Sequence, residues 1–418
     1  MDTLEVFRFY NGEFEKTGTL GRRGRETTFA YDPQYLTSAH PDALSFSLPL
    51  RSEPFPPHEH AGFFEGIIPE GRMRQELSHR LGVPPSDWLS MLARLNCECV
   101  GALMFCTPDT HPEDFAPSYE PFAFERFEEL LAAPAYAATL EVELTRLSLA
   151  GAQAKVGLCH TGDDPSDNWL APFGTAPSTH IVKIPDERHP HLAVNEYLCM
   201  EAARACGLSV AEAFIVPGKR PLLAVRRFDR MFADGGARIP IRLHQEDFCQ
   251  AAGLPPYGKY EFETTDNYAA IANRVLNRCS SDLIRDKTEL ARQIAFDYLV
   301  GNCDNHLKNY SLLYSPDWER RNLAPAYDLV STTVLGYSRV MGVSVGDTRN
   351  LDEITTADWR LFADDLEIPG SIVFDALSNL SDVIPEALRS KAAEEPAPHA
   401  REVAEAIIDD MRPRTTAL

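Results

Sequence analysis

The chain has 418 residues, of which 62 are acidic and 40 are basic, so its formal net charge is −22. This length predicts two or three domains at about 100–200 residues each. Hydrophobic residues make up 44% of the chain and charged residues 24%, which is typical of a globular protein. The acidic surplus excludes a protein that coats DNA, RNA or an anionic membrane without a basic partner.

The sequence predicts neither secretion nor membrane insertion. Residues 1–5 contain no basic segment followed by an apolar one. The apolar run 130–140 is interrupted by Pro134 and is shorter than the roughly 20 residues that a membrane span needs. Nine scattered cysteines indicate free thiols, and the lone C-x-C pair, Cys97 and Cys99, has no partner pair at zinc spacing. We therefore expect a cytoplasmic protein with no structural zinc.

The first 106 residues are predicted to form a small subdomain of short strands and one or two helices. The Asn-Gly dipeptide at 11–12 follows a strand-like run and is the strongest short hairpin signal. Leucines at helical spacing over 73–95 predict helix, interrupted by a Pro-Pro pair. Residues 107–121 contain four prolines and several acidic residues, which predicts a linker.

The second domain is predicted over 122–240, with mixed strands and helices. Strands are predicted at 146–150, at 179–184 and at 222–228. A helix is predicted over 192–206, because apolar residues repeat on one face and a glycine follows at the C-terminal end.

Residues 241–418 are predicted to form a mainly helical domain. The clearest helical pattern covers 287–300 and ends at Gly301. Further helices are predicted at 264–278, 355–366, 373–381 and 397–411. The whole pattern predicts an α+β fold with two lobes, in which the N-terminal lobe is mixed and the C-terminal lobe is mainly α-helical.

The densest polar cluster follows the clearest helix. Asp304, His306 and Asn309 form a D-x-H-x-x-N pattern, which has the spacing of a kinase catalytic loop. In such a loop the aspartate accepts the proton of the attacking hydroxyl, and the asparagine holds a magnesium ion. The alternative is a polar helix end capped by Asn and Lys, and the cluster alone does not decide between them.

Three other residues fit a kinase in their order along the chain. Asp328, after Tyr327, is a candidate second magnesium ligand, although it could equally be a turn residue. Lys183 lies in an apolar strand and resembles the lysine that binds the α- and β-phosphates of ATP. Glu196, on the next helix, is its candidate ion-pair partner; the alternative is that Lys183 extends to solvent at a strand edge.

Upstream of these residues, the small-residue segment 148–155 (SLAGAQAK) could let the backbone approach a phosphate. It is neither G-x-G-x-x-G nor a Walker A motif, so a P-loop NTPase is not expected. The order along the chain is phosphate loop, strand lysine, helix glutamate, Asp…Asn pair and second Asp, which is the order of a bilobal kinase.

With these residues in place, the chain resembles the HipA family of serine/threonine kinases, the toxin components of bacterial HipBA toxin–antitoxin modules. The resemblance covers about residues 1–335. It is carried by the segments SFSLPL (45–50), FFEGIIPEG (63–71), VGAL (100–103), SLAGAQAK (148–155), HIVKIP (180–185), NEYLCM (195–200), VRRFDR (225–230), QEDFCQ (245–250), KYE (259–261), DNHLKN (304–309) and AYDLVS (326–331).

The resemblance implies a bilobal protein-kinase-like fold and a role for each matching residue. Asp304 would be the catalytic base, and Asn309 and Asp328 would bind Mg²⁺. The residues expected to contact ATP are Ala150, Gly151, Ala152, Gln153, Ala154, Lys155, Lys183, Glu246, Asp247, Phe248, His306, Leu307, Lys308, Asn309, Tyr327 and Asp328. Ser148 would be autophosphorylated, and a phosphate of about −1.5 to −2 charges beside the ATP phosphates would switch the kinase off by repulsion.

The resemblance also implies partners. The expected protein substrate is a translation component such as glutamate–tRNA ligase, an aminoacyl-tRNA synthetase. A HipB-type helix-turn-helix antitoxin would bind the chain, so that DNA is contacted only through the antitoxin. Two alternatives remain: a kinase-fold regulatory partner of that antitoxin with secondary catalysis, or a lipid or small-molecule kinase.

Overall fold

The computed structural model describes residues 3–24, 26–95, 98–146, 149–185, 187–232, 239–261 and 267–416. The chain forms two compact units, and neither is continuous in sequence. Unit 1 consists of Met1–Ile184, Ala224–Pro256 and Leu313–Arg320, and unit 2 consists of Pro185–Leu223, Tyr257–Leu312 and Arg321–Leu418. In the described part of the chain, no helix is both long and apolar enough to cross a membrane.

Unit 1 begins with a four-stranded antiparallel sheet of order β3-β2-β1-β4. Its strands are β1 (Thr3–Tyr10), β2 (Glu13–Arg23), β3 (Glu26–Tyr31) and β4 (Leu103–Cys106). The predicted hairpin is confirmed, since Tyr10 pairs with Glu13 across Asn11 and Gly12, whose φ values are 50° and 90°. Positive φ at both central residues is what a two-residue turn of this kind requires.

Four helices connect β3 to β4. They are α1 (Pro33–Leu36), α2 (Pro57–Glu65), α3 (Gly71–Leu81) and α4 (Trp88–Arg94). The predicted interruption within 73–95 is confirmed. The first helix of that range ends at left-handed Gly82, and the second begins after Asp87, whose side chain accepts a bond from the Ser90 N–H (3.1 Å).

A second sheet of unit 1 contains strands in the order β5-β7-β6-β8. The elements of this region are β5 (Ser118–Pro121), α5 (Arg126–Ala132), α6 (Pro134–Thr145), β6 (Lys155–His160), β7 (Trp169–Phe173) and β8 (His180–Lys183). The last four residues of the predicted linker therefore belong to a sheet strand. The strand predicted at 146–150 is wrong for the described residues, because α6 extends to Thr145 and Arg146 takes a left-handed conformation (φ 53°).

After β8 the chain passes through unit 2, where it forms α7 (Leu192–Ala205) and β9 (Ala213–Val216). The helix predicted at 192–206 is confirmed. Strand β10 (Leu222–Arg226) lies next to β8 and carries the chain back into unit 1. It is followed by β11 (Arg230–Met231), β12 (Ile241–Arg242), β13 (Gln245–Asp247) and α8 (Phe248–Ala251).

The rest of unit 2 is mainly helical. Its elements are α9 (Tyr268–Cys279), α10 (Leu283–Val300), β14 (Ser311–Tyr314, which crosses into unit 1), β15 (Arg321–Leu323), β16 (Val340–Val345), β17 (Thr348–Asn350), α11 (Thr356–Asp365), α12 (Gly370–Glu394) and α13 (Ala400–Thr416). The predicted helices are present. The helix predicted at 373–381 is part of a 25-residue helix, and residues 264–266 of another lie outside the described residues.

Candidate active site

The loop after α10 carries the candidate catalytic residues. Helix α10 ends at Gly301, whose left-handed conformation (φ 74°) turns the chain out of the helix, as a glycine after a helix end commonly does. The loop ends in a 3-10 turn over Leu307–Asn309. Within it the Asp304 carboxylate is 52% exposed, whereas His306 and Asn309 are buried. The one acidic side chain of the loop is therefore accessible to a substrate.

Both ends of this loop are bonded to one buried carboxylate. Asp297, in the last turn of α10, accepts a hydrogen bond from Asn302 Nδ2 (2.8 Å) at one oxygen and from the Tyr310 hydroxyl (3.0 Å) at the other. Burial raises the pKa of Asp297 to about 7, and repulsion by Asp328 adds to the rise, although the two donors oppose it. The carboxyl thus joins the two ends of the loop, and burial favours its protonated form.

The Asn309 side chain has one orientation that satisfies its surroundings. Its Nδ2 donates to the Asp304 carbonyl oxygen (2.8 Å), and because a carbonyl only accepts, the amide oxygen must point away from that contact. The backbone N–H of Asn309 donates to the His306 carbonyl (2.8 Å), which closes the turn. The geometry therefore presents an amide oxygen from a rigid backbone.

Asp328 is close enough to Asp297 to raise the pKa of that carboxyl, and its neighbour in sequence contacts the same turn. The hydroxyl of its neighbour Tyr327 donates to the Lys308 carbonyl (2.7 Å), and Asp328 itself is half-buried with a left-handed backbone (φ 58°). In the described ranges, no three His, Cys, Asp or Glu side chains converge as metal ligands. One carboxylate and one amide oxygen nevertheless fit Mg²⁺, which prefers oxygen ligands and keeps several waters.

Two aromatic side chains surround the Asp304 carboxylate. The Tyr260 hydroxyl donates to Asp304 Oδ1, and His306 Nε2 lies 4.0 Å from the same oxygen. The Tyr260 and His306 rings pack edge to face, with centroids 5.0 Å apart. The candidate base is therefore held by a hydrogen bond as well as by the loop backbone.

In unit 1, the two lysines that are predicted to hold the ATP phosphates are direct neighbours. Lys155 and Lys183 are opposite each other in the antiparallel pair β6–β8, so both side chains lie on one face of the sheet. Lys183 is only 7% exposed. The pairing therefore brings the two predicted phosphate-binding side chains to the same part of the sheet.

The loop before β6 requires its glycine. Gly151 has a φ of 104°, and a Cβ atom there would lie 2.7 Å from Lys155 Nζ. Its carbonyl accepts from the Glu70 N–H (3.0 Å), and the Ala154 carbonyl accepts from the Ile184 N–H (2.9 Å). Backbone hydrogen bonds therefore hold the loop at two points, and Gly151 lies directly against the Lys155 ammonium group.

The three consecutive residues 246–248, which are expected to contact ATP, use their side chains inside unit 1. The buried Glu246 carboxylate accepts bonds from the Ser45 hydroxyl, the Phe46 N–H (3.1 Å) and the Tyr314 hydroxyl. Asp247 caps α8 by accepting from the Gln250 N–H (2.8 Å), and Phe248 is fully buried. A nucleotide contact at these three residues would therefore use their backbone groups.

The structure brings the predicted site residues together in two sets, one in each unit. Unit 1 contains residues 150–155, Lys183 and residues 246–248; unit 2 contains Glu196, residues 304–309 and residues 327–328. Ser148 lies outside the described residues.

Sequence reasoning missed Asp297, Asn302, Tyr310 and the role of Tyr260. One signal was present, because an acidic residue in the last turn of a helix opposes the helix dipole and so suggests another role.

Comparison with known proteins gives matches along nearly the whole chain. Residues 10–106 match the HipA N-terminal domain, and residues 147–411 match the HipA-like C-terminal domain. The chain is 35% identical over 390 residues to the putative kinase Y4mE of Sinorhizobium fredii, covering 91% of this chain and 90% of that one. It is 29% identical over 344 residues to the serine/threonine-protein kinase toxin HipA of Shewanella oneidensis, covering 78% and 76% of the two chains.

The fold is also found among solved structures. A chain in the Shewanella oneidensis complex of HipA, HipB and operator DNA superposes with a TM-score of 0.79 and 24% identity, covering 98% of this chain and 96% of that one. This likeness confirms the predicted fold class, a mixed bilobal kinase-like fold of the HipA type.

Proposed function

Since the chain belongs to the HipA family of kinases, we propose that it is an ATP- and Mg²⁺-dependent protein serine/threonine kinase that acts as the toxin of a toxin–antitoxin module. The observation that carries this proposal is the loop after α10. Its one exposed carboxylate, Asp304, lies on a backbone whose two ends are fixed by Asp297, beside a turn that presents the Asn309 amide oxygen.

In the proposed reaction, Asp304 accepts the proton of a serine or threonine hydroxyl. Its exposure lets a protein substrate reach it, and the hydrogen bonds at both ends of its loop limit its movement. Asn309 and Asp328 would hold the metal through oxygen ligands. When bound, Mg²⁺ neutralises charge on the transferred phosphoryl group.

The nucleotide contacts follow the same assignment. Lys155, Lys183 and the loop 150–154 would hold the phosphates, which is supported by the two opposed lysines and by the glycine against Lys155. The backbone at 246–248 would meet adenine and ribose. Four residues of unit 2 are also proposed to contact ATP: His306, Leu307, Lys308 and Tyr327.

The proposal includes self-inactivation and partners. We assign autophosphorylation to Ser148, where a phosphate would repel the phosphates of ATP. A HipB-type antitoxin as partner is supported by the HipA–HipB–operator complex that the chain resembles in fold, and by the net charge of −22, which suits docking to a basic protein rather than to DNA itself. The proposed target is a translation component of the aminoacyl-tRNA synthetase class, and the proposed location is the cytoplasm.

We also propose the layout 1–106, 107–121, 122–240 and 241–418 for the N-terminal subdomain, linker and two kinase lobes. The family match that ends at residue 106 supports the first of these boundaries.

The test is phosphate transfer from radiolabelled ATP with Mg²⁺ to the chain itself and to dephosphorylated casein. We expect Asp304→Asn to lower the rate by about 10²- to 10⁴-fold, the usual contribution of a general base. Asp375→Asn is the matched control, because it changes the same atoms on an exposed position of α12 and should leave the rate unchanged. Equal rates for wild type and Asp304→Asn would contradict the proposal.

A further inference from the structure

The hydrogen bond from Tyr260 to the Asp304 carboxylate gives a function to a residue that so far appeared only within the KYE segment (259–261), with no assigned role. The two residues are 44 positions apart in the chain, and the phenol hydroxyl donates to Asp304 Oδ1. We propose that Tyr260 is a positioning residue that orients the Asp304 carboxylate for phosphoryl transfer. This inference rests on the proposed function, in which Asp304 is the base.

The backbone on either side of Tyr260 is held by one buried phenol. Tyr268, at the start of α9, is fully buried, and its hydroxyl contacts the carbonyl oxygens of Gly258 and Tyr260 (3.0 Å to the latter). The first carbonyl lies two residues before Tyr260, and the second belongs to Tyr260 itself. Tyr260 is therefore fixed by a group that is itself fixed in the core of unit 2.

Two further contacts join the segment 258–261 to the loop after α10 and to β16. The Lys259 carbonyl accepts from the Leu307 N–H (3.3 Å), so the segment is bonded directly to the loop that carries Asp304. Glu261 Oε2 accepts from the Ser344 N–H (2.8 Å) and from the Tyr268 N–H (3.3 Å). The segment and the loop thus form one bonded assembly, in which the distance from phenol to carboxylate is set by the backbone.

The orientation of the Tyr260 ring is limited by His306. The two rings meet edge to face at an interplanar angle of 78°, and His306 is only 6% exposed. A buried imidazole cannot move aside easily, so the phenol has little freedom to rotate away from Asp304. The hydroxyl is held at the carboxylate by packing as well as by its own hydrogen bond.

This arrangement has a direct consequence for the reaction. A carboxylate on an exposed loop can rotate about its Cβ–Cγ bond, and each unproductive rotamer lowers the fraction of molecules that can accept the substrate proton. A phenol donor at Oδ1 removes much of that freedom and stabilises the charged form of the base. Because Asp304 remains 52% exposed, the hydrogen bond does not block the approach of a substrate hydroxyl.

The test compares Tyr260→Phe with Tyr257→Phe, using phosphate transfer to dephosphorylated casein. Both changes remove one hydroxyl, but Tyr257 is 75% exposed and serves as the matched control. A hydrogen bond to a charged group contributes enough that we expect kcat to fall by roughly 10- to 100-fold in Tyr260→Phe. We expect KM for ATP to stay within about twofold, because the lost hydrogen bond is made to the base.

A double-mutant cycle separates this role from a purely structural one. In the Asp304→Asn background, Tyr260→Phe should cause almost no further loss, because the two side chains act as a unit. A kcat for Tyr260→Phe equal to that of Tyr257→Phe would overturn the inference, as would full additivity in the cycle. If Asp304→Asn itself kept wild-type activity, the proposed function would fail instead, so the two failures are distinguishable. Circular dichroism melting of each variant shows whether a loss reflects unfolding.

Discussion

Two groups of buried acidic side chains, one group in each unit, have different surroundings. In unit 1, Glu98 and Asp229 lie among three arginines, and we call this group of five residues the arginine cluster: Glu98, Arg227, Asp229, Arg230 and Arg242. Arg227 contacts Asp229 at 2.8 Å, and Arg230 contacts Glu98 at 2.9 Å. In unit 2, the donors to Asp297 among the described residues are neutral, namely Asn302 and Tyr310.

The two surroundings set opposite protonation states. Burial alone would raise the pKa of Glu98 and of Asp229, but the neighbouring arginines lower both below their usual range. At Asp297 no cation offsets burial, and the pKa rises to about 7. The comparison teaches that neighbouring cations keep a buried acid in its charged form, whereas burial with neutral donors alone favours the protonated form.

The location of each cluster agrees with this difference. Arg227 and Arg230 also donate to the carbonyls of Cys99 and Gly101, so the arginine cluster ties the region before β4 to the chain after β10. Asp297 instead holds the two ends of the loop that carries Asp304 and Asn309. A fixed charge beside that loop would repel Asp328, whereas a protonated carboxyl positions the loop without adding negative charge.

The largest expected effect follows from removing one anion of the arginine cluster. Glu98→Gln leaves three guanidinium groups with a single carboxylate, and an uncompensated buried charge costs about 3–5 kcal/mol in the free energy of unfolding. Urea unfolding monitored by tryptophan fluorescence measures this loss of stability, because the buried Trp169 and Trp318 both belong to unit 1. A loss below about 1 kcal/mol would mean that the cluster is solvated and that the comparison is wrong.

A smaller effect on the free energy of unfolding, which depends on pH, is expected when Asp297 is replaced. A folded pKa of about 7 lies above the unfolded value near 3.9, so the folded state binds the proton more tightly. The stability contributed by the neutral carboxyl is therefore complete below about pH 4 and is lost as the pH rises through 7. Asp297→Asn removes this dependence, so its stability relative to wild type should increase by roughly 1–4 kcal/mol between pH 5 and pH 8.

This second prediction is measured on the protein without metal or nucleotide, in EDTA. Hydrogen exchange of peptides that cover 297–310 reports on the loop, and Trp359, which packs against Tyr298, reports on unit 2 by fluorescence. Exchange in Asp375→Asn should keep the wild-type pH dependence. A difference between Asp297→Asn and wild type that is constant from pH 5 to pH 8 would show that Asp297 is charged throughout.

Much of the local structure could be predicted from the sequence, because its signals are local. The hairpin at 11–12, helix α7 and the end of α10 each depend on a short pattern and a turn residue. The strand predicted at 146–150 failed because so short an apolar run also fits a loop, which is what the described residues 146, 149 and 150 form. Strand β5 was missed since its partner, β7, lies about fifty residues further along the chain.

For the candidate site, too, the sequence predicts local features but not the contacts between distant segments. The residue types and order that predict a kinase loop are short-range, and the assignments of Asp304, Asn309 and Asp328 stay predictions. The supporting contacts come from distant segments: Tyr260 is 44 residues from Asp304, and Ser45 is 201 residues from Glu246. Such pairs depend on how the chain packs, which no spacing rule encodes.

The smallest effect on stability is expected for a surface glutamate, which serves as the control for the Glu98→Gln prediction. Glu405→Gln changes the same atoms as Glu98→Gln, but Glu405 pairs with Arg389 on the surface, where the side chains are 49% and 46% exposed. Exposed pairs gain little because water screens them and both side chains lose freedom. We therefore expect no resolvable shift in the urea midpoint followed by circular dichroism, at low or high salt. A loss comparable to that of Glu98→Gln would show that removal of any glutamate charge destabilises this protein, and burial would no longer explain the difference between the two sites.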